Sequence, residues 1–105
     1  MPHAAFAAKP RKTEDIRILS EADVRRLVLH SPMPKYPPGA RTAGLKGSGL
    51  FRIDFSASGE ATNVKVLRST GHERLDLEAV ETFRSWRIRP KTGFEGFIIP
   101  VIFTF

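Results

Sequence analysis

The sequence predicts a small α+β domain in which a three-stranded antiparallel sheet is packed by one helix, with an extra N-terminal helix. Residues 50–69 alternate apolar and polar side chains on both sides of a Ser-Gly-Glu turn, which is typical of a β-hairpin. Residues 75–86 repeat apolar side chains at helical spacing. Residues 93–105 form the most apolar run and are rich in β-branched and aromatic side chains, as expected of a final strand.

Length and composition limit the possible classes of protein. A chain of 105 residues without cysteine is one domain with neither disulfides nor thiolate metal sites. The net charge of +6 is uneven, because residues 1–48 hold nine basic and four acidic side chains whereas residues 49–105 hold eight and seven. This asymmetry argues against a uniformly basic nucleic-acid-binding fold, so no nucleic acid is expected as a partner. No apolar run is long enough to span a membrane.

The N-terminal part divides into two segments. Residues 1–13 lack any period, and we expect a disordered tail or the end of a linker; the chain's start suggests a piece of a longer protein. Residues 14–31 are predicted to be a helical extension, with a helix over residues 20–29. Ser20 is placed to cap this helix, and Val24, Leu27 and Val28 would form its buried side.

Residues 32–105 are predicted to form the main domain. The proline-rich start, SPMPKYPP, suggests either a ligand for aromatic grooves or a connection packed across its own domain. In the hairpin, Val64 and Val66 should face the core. Thr70 and Glu73 have the spacing of a capping box at the start of the second helix. Trp86 at its end is predicted to be core, in preference to a nucleic-acid stacking platform.

The final strand is predicted to carry the function. Its odd-numbered positions from Phe97 to Phe105 share one face, and its even-numbered positions share the other. Pro100 has no N–H for a ladder, which predicts one poorly paired side, at an edge or a bulge. A long apolar edge strand offers free backbone groups to another chain.

No pattern in the sequence indicates catalysis or a cofactor. The three histidines are isolated, and no HExxH, CxxC or EF-hand pattern occurs. The Gly-rich stretch at residues 44–49 precedes a strand, whereas a phosphate loop follows one and opens a helix. We therefore expect no metal, no cofactor and no enzymatic activity.

Several motifs in order resemble the TonB C-terminal domain family. The matching stretches are PKYP at residues 34–37, GLFRIDF at 49–55, SG at 58–59, VKVLRSTG at 64–71, LD at 75–76, WRIRP at 86–90 and PVIFTF at 100–105. The resemblance covers residues 32–105.

The resemblance implies a periplasmic domain tethered through a proline-rich linker to one inner-membrane helix, which pairs with a motor complex driven by proton-motive force. Such domains bind the N-terminal box peptide of a TonB-dependent outer-membrane transporter as an added strand, and so drive uptake of siderophores, cobalamin or other scarce nutrients. Main-chain pairing of this kind tolerates varied peptide sequences.

Carried over by position, the resemblance implies a partner-binding site beside the last strand and the segment before it. Its residues would be Met33, Pro34, Lys35, Tyr36, Phe97, Ile98, Ile99, Val101, Ile102, Phe103, Thr104 and Phe105. Met33 stands where well-known members carry a polar amide, and the chain ends at Phe105 where some members continue.

Other functions stay open on the sequence. The same fold can serve as an adaptor or sensor module without a transporter, and a basic nucleic-acid-binding domain is a weaker third interpretation. The apolar edge also allows a homodimer through the last strand. The N-terminal helix could pack on the domain, mask the edge or dock a partner.

Overall fold

The structure is a computed structural model that describes residues 16–18, 20–93 and 95–105. The tail predicted at residues 1–13 lies outside this part. In chain order the elements are β1 (Ile16–Ile18), α1 (Glu21–Leu27), β2 (Val28–His30), β3 (Gly47–Phe55), β4 (Ala61–Arg68), α2 (Glu73–Phe83), β5 (Arg87–Ile88) and β6 (Gly96–Phe103). No helix in these ranges is long and apolar enough to cross a membrane.

The main sheet contains the predicted antiparallel strands and one more. Its order is β1-β6-β3-β4, and β3 pairs antiparallel with both β4 and β6. The predicted three-stranded antiparallel sheet is thus confirmed. The addition is β1, which pairs in parallel with the start of β6. A separate two-stranded sheet joins β2 to β5.

The core lies between the sheet and α2. Phe51 of β3 packs on Phe83 of α2 with ring centroids 5.6 Å apart, and Phe83 meets Trp86 edge-to-face at 5.4 Å. Trp86 is 2% exposed and donates its indole N–H to the Pro32 carbonyl at 2.8 Å. The prediction that Trp86 is core is confirmed. Val66 was expected in the core but is 43% exposed, because β4 is an edge strand of the sheet.

The β3–β4 turn is held against β5. The Gly59 carbonyl accepts the Ile88 N–H at 2.9 Å, and Glu60 forms an isolated bridge with Arg87. A Cβ at Gly59 would lie 2.0 Å from the Ile88 carbonyl oxygen, and its φ of +92° disfavours other residues. Only glycine therefore allows this hairpin to dock so closely.

The predicted capping box at α2 is wrong. The N-cap is His72, which makes no side-chain capping bond. The Asp76 carboxylate instead accepts the Thr70 N–H at 2.9 Å and the hydroxyls of Ser69 and Thr70. Burial by itself raises the pKa of Asp76, but these hydrogen bonds, with a contribution from the charge of His72, leave that pKa below its usual value.

The N-terminal helix is shorter than predicted. It ends at Leu27, two residues before the expected end, because the backbone becomes extended at Val28 and forms β2, which pairs with β5. Leu27 is buried as expected, whereas Val24 is 37% exposed. The other buried position is Asp23, whose side chain completes a capping box with Ser20. Asp23 is thus buried because its carboxylate caps the start of the helix, and not because it belongs to an apolar face.

Candidate functional site

The two sides of β6 are distinguished by its register with β3. The Phe55 N–H donates to the Glu95 carbonyl at 2.8 Å just before β6 begins, and the strands stay in unbroken register from Gly96 to Phe103. Because hydrogen-bonded and non-hydrogen-bonded pairs alternate in an antiparallel ladder, the odd-numbered residues of β6 bond to β3. The backbone groups of the even-numbered residues, Gly96, Ile98, Pro100 and Ile102, point to the opposite edge.

All four residues of β6 that bond to β3 from Phe97 to Phe103 have buried side chains. Phe97, Ile99, Val101 and Phe103 are each at most 4% exposed and line the core. On the other face Ile98 is 3% exposed, but Ile102 is 72% exposed. The sequence had grouped all of these residues as one site, whereas the structure separates a core-packing set from an edge set.

Pro100 lies in the edge set. It stands opposite Leu50 in a non-hydrogen-bonded pair, so its nitrogen faces away from β3. The missing N–H therefore costs the sheet no bond, and β6 pairs with β3 without a bulge. The poorly paired side that the sequence predicted is the outer edge of this strand.

The outer edge of β6 is not free along its whole length. β1 lies along its first part, with Ile16 opposite Gly96, Arg17 opposite Phe97 and Ile18 opposite Ile98. In this parallel register the Arg17 N–H faces the Gly96 carbonyl and the Arg17 carbonyl faces the Ile98 N–H. The extension thus covers the start of the edge through β1, while α1 does not pair with it.

The remaining edge begins after Ile98. Within the described ranges no strand pairs with β6 on this side from Ile99 onwards. The groups left facing outwards are the Pro100 carbonyl and the N–H and carbonyl of Ile102. A strand added here would find both a donor and an acceptor on Ile102.

An aromatic cluster closes the end of this edge. The Tyr36 ring meets Phe103 edge-to-face at 5.4 Å and stacks on Phe105 at 5.7 Å. The Lys46 ammonium lies 5.9 Å from the centroid of the Phe105 ring. Phe105 is still 58% exposed, and the buried Tyr36 hydroxyl has no hydrogen-bond partner among the residues that the structure describes. Tyr36 and Phe105 thus form an apolar surface over the buried Phe103, with the Lys46 ammonium at its rim.

The other predicted residues of the segment before Tyr36 lie nearby in sequence but differ in exposure. Met33 is 57% exposed and Lys35 is exposed, while Pro34 is half-buried. The indole bond from Trp86 to Pro32 anchors this segment to the domain. The proline-rich stretch is therefore packed on its own domain at this point.

Sequence reasoning missed two parts of the site. The pairing of β1 was not found, because alternating Ile16 and Ile18 indicate an extended strand but say nothing of its neighbour. Lys46 was missed since its contact with Phe105 joins residues far apart in the chain. The described residues contain no group of three or more His, Cys, Asp or Glu that could hold a metal ion. The site offers backbone pairing and apolar contact.

Comparison with known proteins identifies the family. Residues 32–105 match the family described as Gram-negative bacterial TonB protein C-terminal, a family of non-enzymatic interaction domains. Protein tonB2 of Pseudomonas aeruginosa is 39% identical over 62 residues, covering 59% of this chain and 23% of that protein. Protein TonB of Xanthomonas campestris pv. campestris is 39% identical over 59 residues, covering 56% and 26%. Protein TonB of Vibrio cholerae is 34% identical over 68 residues, covering 65% and 28%.

The fold agrees with that match. The solution NMR structure of the Pseudomonas aeruginosa TonB C-terminal domain superposes with a TM-score of 0.63 at 20% identity, covering 74% of this chain and 84% of that one. This chain spans about a quarter of the length of the curated relatives. With the family match over most of its length, the chain belongs to the TonB C-terminal domain family.

Proposed function

We propose that this domain binds the N-terminal box peptide of a TonB-dependent outer-membrane transporter as a strand added beside β6. The observation that carries the proposal is the outward-facing donor and acceptor of Ile102 on an edge without a described partner strand from Ile99 onwards. Family membership supports it, since the relatives are TonB proteins.

In this proposal the main chain supplies the affinity. The side chains of Phe97, Ile99, Val101 and Phe103 hold β6 against α2, and their backbone groups bond to β3. These four residues therefore hold the strand rigid, while Pro100 and Ile102 offer their outward backbone groups to the added strand. Ile102 and the Tyr36–Phe105 stack would contact the alternate side chains of the added strand.

The parent protein would act as an energy transducer. Its inner-membrane anchor and motor-binding region would lie outside this chain, with the domain in the periplasm. Pairing of the peptide with β6 suits this role, because a force along the added strand is shared by several hydrogen bonds at once. Siderophores or cobalamin would be typical cargoes of the transporters served.

An NMR titration with box-like peptides from the outer-membrane transporters of the same organism tests the proposal. We expect saturable shifts at Ile99 to Phe103 and at the ring of Tyr36. In Ile102→Pro the outward N–H is lost, and binding should weaken at least about tenfold because a central ladder bond cannot form. The fold should persist, since that N–H makes no bond to β3.

Ile102→Ala is the matched control. It removes the same exposed side chain and keeps the N–H, so main-chain recognition predicts a much smaller loss of affinity than in Ile102→Pro. Equal losses in both variants would contradict strand addition. If no peptide binds the folded domain at all, the transporter role fails and an adaptor or sensor role takes its place.

A further inference from the structure

We infer that β1 is an internal competitor for the edge of β6, so that an incoming strand must displace Ile16–Ile18 to pair along the whole edge. The inference rests on the proposed function, because it concerns the same edge. It adds that the chain regulates access to this edge with its own N-terminal segment.

The first step is that β1 occupies the groups an added strand needs. The edge presents Gly96, Ile98, Pro100 and Ile102 outwards, and the register places Arg17 between the first two. Pro100 offers no donor, so β1 cannot continue along the edge with full pairing. With β1 in place, the outward groups of β6 beyond Ile98 are the Pro100 carbonyl and the N–H and carbonyl of Ile102, so an incoming strand must begin there.

The second step is that β1 is held weakly. It pairs with β6 over three positions, whereas β3 pairs with β6 over eight. Each backbone hydrogen bond contributes little net stability, because the released groups bond to water instead. Release of β1 therefore costs far less than release of any other strand of the sheet.

The third step is that β1 stays close when it is released. Ser20, two residues after Ile18, caps α1 through the N–H of Asp23 at 3.2 Å, and Leu27 at the end of α1 is buried in the core. Arg89 also binds this end, with its N–H on the Leu27 carbonyl at 2.7 Å and its guanidinium on the Arg26 carbonyl at 3.0 Å. A short tether of this kind keeps the local concentration of β1 high.

These three features make β1 a reversible cover. An incoming strand would first pair at Ile102, where the edge is open, and then replace β1 at Ile98 and Gly96. The apparent association constant for a peptide would be the intrinsic association constant multiplied by the fraction of molecules in which β1 is released.

Arg17→Pro in the full chain tests the inference, because it removes the N–H that faces the Gly96 carbonyl. We expect faster exchange of the Ile98 amide and about tenfold tighter binding of a transporter box peptide, as two ordinary hydrogen bonds would produce. Arg11→Pro changes the same residue type and charge upstream of β1, and should alter neither measurement.

A second pair of variants covers the case in which Arg17→Pro perturbs the fold. The chain has no cysteine, so Ile18→Cys with Ile98→Cys creates one defined disulfide between opposite residues. The oxidised form should lose peptide binding along Gly96 and Ile98, and reduction of the same sample should restore it. Equal affinity in the two redox forms would overturn the inference.

The experiment separates failure of the inference from failure of the proposed function. An Ile98 amide that exchanges freely in the unaltered chain, or an affinity unchanged by Arg17→Pro despite a released Ile98 amide, overturns the competition. If no transporter peptide binds any variant, the proposed function fails. A synthetic peptide of residues 13–20 is then the probe: binding at β6 in Arg17→Pro but not in the unaltered chain supports occupation of the edge by β1, and no binding overturns it.

Discussion

Asp76 shows how one carboxylate organises the approach to α2. It gathers bonds from the Ser69 hydroxyl, the Thr70 N–H and the Thr70 hydroxyl, which fold the end of β4 back onto the first turn of the helix. Thr70 is only 8% exposed as a result. The carboxylate therefore joins the hairpin to the helix that covers it.

Asp76→Asn should lower the free energy of unfolding at pH 7 by about 0.5–1 kcal/mol, as for loss of a partly exposed capping interaction. Since the pKa of Asp76 is lowered in the folded state, its stabilisation is present above the unfolded value of about 3.9 and is lost as the pH falls through the folded value. Urea unfolding across acid pH should show the unaltered chain and Asp76→Asn converging.

Glu73→Gln is the control for Asp76→Asn. Glu73 lies in the same first turn and is exposed, but no hydrogen bond or ion pair of its side chain is present among the described residues. Its replacement should leave both the stability at pH 7 and the acid profile nearly unchanged. An equal effect in the two variants would show that the helix dipole, and not the contact with Ser69 and Thr70, explains the result.

At the residue scale the sequence predicted burial better than hydrogen bonding. Trp86 and Leu27 were expected to be buried and are, because apolar periodicity follows directly from helix geometry. The capping box at Thr70 was expected from spacing alone. It does not form, because Thr70 turns its hydroxyl to Asp76 and the helix begins later.

At the scale of elements, the N-terminal extension is attached to the domain through the C-terminal end of α1 and through β2. β2 pairs with β5, Leu27 enters the core, and Arg89 binds the last carbonyls of α1. The sequence could not choose between packing, masking and docking for this extension. The structure shows packing at β2 and masking of part of the edge at β1.

Leu27→Ala should lower the free energy of unfolding by about 2–3 kcal/mol, because it leaves a cavity under α1. It should also speed exchange of the Arg89 amide, which bonds to the Leu27 carbonyl. Val24→Ala, in the same helix and 37% exposed, should cost less than about 0.5 kcal/mol. A larger loss for Val24→Ala would mean that the apolar face predicted from the sequence is the packed one.

The early end of α1 has a local cause and a distant one. Val28 is β-branched and favours an extended backbone, but the residues from Val28 to His30 also gain partners only because β5 lies beside them. Periodicity continued through Val28 and therefore predicted a longer helix. Tertiary pairing overrode that preference.

At the scale of the whole molecule, the exposed edge and the cover supplied by β1 together determine self-association. A homodimer through β6 was one interpretation of the sequence. With β1 on Gly96–Ile98, little of the edge is left for a second copy. The net charge of +6 adds repulsion between copies.

Sedimentation velocity over a concentration series checks this point. We expect the unaltered chain to stay monomeric at concentrations at which Arg17→Pro forms a dimer, because release of β1 exposes the full edge. Adding Ile102→Pro to Arg17→Pro should restore the monomer by removing the central donor. A dimer of the unaltered chain that survives Ile102→Pro would place the contact elsewhere on the surface.

The sequence by itself determined the antiparallel hairpin, the covering helix, the apolar final strand and the family, since periods of 2 and 3.6 and the order of short motifs are local properties. Only the tertiary structure decided which backbone groups of β6 face outwards and what lies beside them. That depends on the register with β3 and on the parallel pairing of β1, contacts between residues far apart in the chain that no local pattern specifies.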